Sequence, residues 1–157
     1  MGMRTFVLSI LLSSPAYAWD FTPGLPCKLN HVSAQAEVEL TYDPRVPLYA
    51  ITVTRKDPWP QADDFAIRFD GPQGRIIATD RHELSEDGLS LTVTDRGFGN
   101  VLDGLQFNRS ATAKSGDAEV TVGLDGASDA VEAFKACEGA VVSSPKGSVD
   151  DQYTSRT

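Results

Sequence analysis

From residue 35 onward the chain alternates. Ala36, Val38, Leu40 and Tyr42 sit two apart, with Gln35, Glu37, Glu39 and Thr41 between them, which is the period of a half-buried strand. Cys27, Leu29 and His31 alternate in the same way with Lys28 and Asn30, a hairpin partner for that strand. Asp43-Pro44 ends the ladder, since proline has no N–H to donate. Further strands follow at Tyr49, Ile51 and Val53, at Phe65, Ile67 and Phe69, at Ile76-Ile77-Ala78, and at Leu89, Leu91 and Val93. Asp57-Pro58-Trp59-Pro60, Asp70-Gly71-Pro72 and Glu86-Asp87-Gly88 carry turn chemistry between them. This spacing predicts a mostly β fold, an antiparallel sandwich or partly open barrel of about seven or eight short strands.

Two segments change period. Val101, Leu102 and Leu105 fall at helical spacing within Asn100–Leu105, enough for a short helix. Extended chain resumes from Phe107 to Ala113, turns at Ser115-Gly116-Asp117, and enters a strand carrying Ala118, Val120, Val122 and Leu124. Then Ala127, Ala130, Val131, Phe134 and Cys137 share one face of a second helix, which would pack on the sheet. Asp125 or Ser128 is placed to cap it, with Asp129 and Glu132 near its positive end and Lys135 near its negative end. Beyond Ala140 the apolar pattern stops, and residues 140–157 read as a flexible tail.

The first eighteen residues read differently. Arg4, an apolar run over Thr5–Leu12 and the ending Ala16-Tyr17-Ala18 are the three parts of a secretory signal peptide, cleaved before Trp19. The expected organisation is a signal peptide at 1–18, one β-rich domain at 19–139 and the tail. Export to the periplasm or the extracellular space gives the two cysteines a meaning. Cys27 and Cys137 become a disulfide candidate in an oxidising compartment. In the chain-entropy model, closing so long a loop is worth about 4.7 kcal/mol, less any strain.

Charge narrows the partners. The chain holds 14 Lys and Arg against 22 Asp and Glu, a net charge of −8, and removing Arg4 with the leader makes it −9. A protein that tracks phosphates needs a basic surface, so nucleic acid is not an expected partner. No apolar stretch reaches the roughly 18 residues of a membrane-spanning helix. Phosphate loops, nucleophile elbows, H-E-x-x-H and C-x-x-C are all absent, and no metal or cofactor is expected.

Three features stand out against that background. Thr-Asp-Arg occurs twice at strand ends, as Thr79-Asp80-Arg81 before His82 and as Thr94-Asp95-Arg96. If those strands pair, two carboxylates, two guanidiniums and an imidazole gather on one edge, either as an acid–base or anion site or as salt bridges pinning a hairpin. Trp59, between two prolines, is either an exposed recognition aromatic or a plug at the end of the fold. Finally, in Arg96-Gly97-Phe98-Gly99-Asn100 the glycines are expected to take angles closed to other residues, with Asn100 capping the short helix. Helix-start N–H groups beside Arg96 could then hold an anion. In the structural version of this turn, Asp95 accepts those N–H groups and Phe98 packs inward. Asn108-Arg109-Ser110 matches a glycosylation sequon within a predicted extended segment.

Trp19-Asp20-Phe21-Thr22-Pro23, Cys27, Arg68-Phe69-Asp70-Gly71, the run Leu91–Leu105 (LTVTDRGFGNVLDGL) and the ending Phe134–Cys137 resemble a family of small exported proteins of alphaproteobacteria. The resemblance implies export but no defined activity. Some members bear the label of an excinuclease ABC component, a DNA-repair activity that requires a phosphate loop which this chain lacks. Val120–Cys137 is faintly similar to the invasion-associated locus B proteins of the periplasm. The expected function is therefore a non-enzymatic binding or envelope-interaction module for an unidentified protein or small molecule. The alternatives are a small periplasmic hydrolase using Asp80, His82 and Asp95, and an inhibitor of a secreted enzyme. An enzyme predicts titratable groups converging in a pocket, and a binding module predicts an exposed apolar surface or sheet edge.

Overall fold

The alternating segments pair into two antiparallel sheets. A computed structural model describes residues 18–142, which form ten strands and two helices. The strands are β1 (Trp19–Thr22), β2 (Cys27–Val32), β3 (Ala36–Asp43), β4 (Leu48–Arg55), β5 (Phe65–Asp70), β6 (Arg75–Thr79), β7 (Glu83–Leu84), β8 (Ser90–Asp95), β9 (Ser110–Ser115) and β10 (Ala118–Gly123). Helix α1 (Gly99–Phe107) lies between β8 and β9, and α2 (Ala127–Val142) follows β10. One sheet has the order β1-β2-β3-β4-β8-β7 and the other β10-β9-β5-β6. Neither sheet closes on itself, so the open sandwich is the form adopted.

Each long strand buries the side that its alternation marks. Val38, Leu40, Ile51, Val53, Leu91 and Val93 line the first sheet, and Phe65, Ile67, Phe69, Ala111, Val120 and Val122 line the second. Two strands escape the sequence pattern. β1 has four residues and β7 two, each too short to display a period.

The chain crosses between sheets through residues 56–64, and Trp59 fastens that crossing. It is 3% exposed. Its indole N–H donates to the Val53 carbonyl at 3.0 Å, and the Arg55 guanidinium lies 4.7 Å above the ring. The exposed-aromatic reading of Trp59 is therefore corrected: its ring is buried in the core. Asn108 is also buried. Its amide donates to the Gln73 and Gly104 carbonyls and accepts from the Gln73 N–H. A sequon whose asparagine is so engaged offers no free amide to a glycan.

Helix α2 presents Ala127, Ala130, Val131 and Phe134 to the core, as its pattern predicts. It packs against α1, β1 and β2, and Cys137 is bonded to Cys27, with Cα atoms 6.7 Å apart. The helix continues past Cys137 through residues 140–142, so those three residues are not part of a tail. Lys135 consequently lies inside the helix rather than at its negative end. It donates to Asp103 at 2.9 Å and to Gln106 at 2.6 Å, tying α2 to α1. The expected signal peptide, Ala18 apart, and residues 143–157 lie outside the described residues.

Candidate functional site

The two sheets do not seal along one side. β6 is an edge strand of its sheet. On the facing sheet, β7 pairs with β8 only at Leu84↔Leu91 and Glu83↔Thr92. Val93, Thr94 and Asp95 therefore run past the end of β7 with no strand on their outer side. Between this stretch and β6 the sandwich opens as a cleft of about 220 Å³.

Its walls are apolar. Ile51 and Val93 come from one sheet, Phe65, Ile67 and Ile77 from the other, and Phe98 from the turn before α1. Phe98 is held by stacking on Tyr49, with centroids 5.3 Å apart. Ile51 and Ile67 also border a void of about 20 Å³ deeper in the sandwich, lined wholly by apolar side chains. Apolar walls with a few polar groups at the mouth are the usual make-up of a small-molecule pocket.

The mouth carries the residues that the repeated Thr-Asp-Arg singles out, though not as the sequence suggests. The strands ending at Thr79 and Asp95 belong to different sheets and do not pair. Instead Arg81 reaches across the opening, and its Nη2 donates to Asp95 Oδ2 at 2.5 Å. The other Asp95 oxygen accepts the Arg96 N–H at 2.6 Å. Arg81, and then the backbone N–H groups, hold the Asp95 carboxyl below its ordinary range. Asn100 lines the same mouth and accepts from the Arg75 guanidinium at 3.3 Å. Arg75 is the rim residue that sequence reasoning misses, because only the turn at residues 71–74 brings it opposite α1.

The remaining candidates fall elsewhere. Asp80 and Arg96 are exposed side chains outside the lining. His82 packs 6.2 Å from Phe65, its buried Nδ1 has no partner, and it bonds neither Asp80 nor Asp95. The trio required by a hydrolase is thus not assembled around a reacting position. Among the described residues no group of three His, Cys, Asp or Glu is placed to hold a metal ion.

The turn itself needs two corrections. Neither Gly97 nor Gly99 has a positive φ, and a Cβ on either would meet no atom within 4 Å. The residue at the cap position of α1 is Phe98, which offers no side-chain acceptor, so Asn100 sits inside the helix rather than capping it. Of the structural version of the turn, Phe98 is buried as expected, whereas Asp95 accepts the Arg96 N–H rather than the N–H groups of the helix start.

No protein-family model, curated protein or solved structure matches the chain.

Proposed function

We propose that the protein is a non-enzymatic binding module of the periplasm or extracellular space, and that its ligand seats an apolar body in the cleft between β6 and β8. The cleft carries the reading: a water-accessible opening lined by Ile51, Ile67, Ile77 and Val93 leaves apolar surface that an apolar guest would cover. The compartment is supported by chemistry at both ends of the fold. A Cys27–Cys137 bond is characteristic of an oxidising environment. Trp19, expected first after cleavage, is already a core residue, stacked on His31 with centroids 4.7 Å apart. Among the described residues no helix is long and apolar enough to cross a membrane. The resemblance to small exported proteins agrees with this placement.

The test is binding of an environment-sensitive apolar dye to the disulfide-bonded protein. Gly97→Leu puts a side chain at the mouth, where the Cβ itself meets nothing. Dye binding by wild type that this substitution abolishes, at unchanged melting temperature, is the expected result. Dye binding untouched by Gly97→Leu overturns the assignment of the cleft.

A further inference from the structure

We infer that the cleft selects a short organic anion, an alkanoate or arylalkanoate, and that Arg81 receives its carboxylate by releasing Asp95. This rests on the binding reading above and adds the chemistry of the head group.

Size limits the body. An apolar cavity of about 150 Å³ admits benzene, and drug-sized ligands occupy roughly 300–1,000 Å³. At about 220 Å³ the cleft has room for a short chain or a single ring. Such a guest would lie between Ile51 and Ile77 with its polar end outward, where Arg81, Asp95 and Asn100 stand.

Charge selects the head. In a chain of net charge −8, this mouth holds two guanidiniums, Arg81 on the lining and Arg75 bonded to Asn100, while Arg96, like Asp80, stands outside the lining. The acids beside them are Asp80, exposed and outside the lining, and Asp95, which is already engaged. The Arg81 side chain is 65% exposed, and only its Nη2 bonds to Asp95. A guanidinium has five N–H donors arranged to meet carboxylates two at a time. Asp95, for its part, keeps the Arg96 N–H when Arg81 turns away, so the exchange leaves neither partner without a hydrogen bond. Helix α1 adds to the preference. Its first turn contains no acid and its cap position offers no acceptor, so its orphan N–H groups and positive end border the same mouth. An ammonium head would meet Arg81 and Arg75 against one carboxylate, Asp95, that already has partners.

Calorimetry with octanoate, octanol and octylamine at neutral pH separates head from body on the disulfide-bonded protein. Octanoate is expected to bind at least tenfold tighter than octanol, and octylamine more weakly than either. Arg81→Gln should reduce octanoate to the octanol level without changing octanol, and Asp95→Asn should tighten octanoate. Thermal melts establish that both variants are folded. Octanol binding as tightly as octanoate would overturn the inference and leave the cleft reading intact. Arg81→Gln weakening octanoate and octanol alike would also overturn it, by making Arg81 a structural residue. Binding of none of the three would remove both readings.

Discussion

Gly104 has the Phe69 ring where its side chain would be: a Cβ would overlap three ring carbons. Phe69 is 1% exposed and cannot retreat. Gly104→Ala should therefore destabilise the fold by about 1–3 kcal/mol, although alanine is the better helix former. Gly97→Ala, with negative φ and open space, should stay within about 0.5 kcal/mol of wild type. Phe98→Ala removes a buried ring from the cleft wall and should cost about 3–5 kcal/mol, whereas Arg96→Ala, at an exposed side chain, should cost almost nothing. Denaturant curves of the four variants order these effects. Asp95 contributes through pH. Its carboxyl is depressed in the folded state, so its stabilisation is complete above the ordinary Asp value of 3.8 and is lost as pH falls through the lower folded value. Asp43, beside Arg45, and Asp87, beside the Ser85 hydroxyl, act in the same direction. Carboxyl NMR should show the Asp95 midpoint moving up in Arg81→Ala while that of Asp87 stays in place.

Helix α2 is anchored in three ways. Apolar packing holds its inner face, the disulfide fixes it at Cys137, and Lys135 joins it to α1. These anchors should differ in weight. Cys137→Ser should cost roughly 2–5 kcal/mol, and the unreduced wild type should show no reactive thiol after unfolding. Lys135→Ala should cost less than about 1 kcal/mol, since its partners are partly exposed. The helix's inner face is legible in the sequence, as are β3, β4, β5, β8 and β10, because each buries one side and hydrophobic spacing reports that burial. The ends of the helices are not. Phe98 is drawn onto Tyr49, so α1 starts ahead of the asparagine that local capping chemistry would favour. The site shows the same division. Repetition of Thr-Asp-Arg draws attention to Arg81 and Asp95, but the space beneath them depends on β6 lying in the second sheet and on β7 ending early. Neither fact is local to any segment.

Across the whole molecule, the expected export has a direct check. Protein recovered from outside the cytoplasm should begin at Trp19, and an intact mass retaining residues 1–18 would remove the compartment argument. The bond between Cys27 and Cys137 has a further, mechanical consequence. Its cysteines stand 110 positions apart, and among the described residues only β1 and the end of α2 lie, of the secondary-structure elements, outside the loop they close. Once β1 has peeled from β2, a pull applied to the two ends of the domain passes from one sulfur to the other, and the other strands of both sheets hang off the load path. In force spectroscopy the unreduced protein should keep that loop hidden, and a reductant should release roughly 360–400 Å of contour length. Tethered by its ends to anything that moves, the protein would carry tension through one covalent bond while its binding cleft remains unloaded.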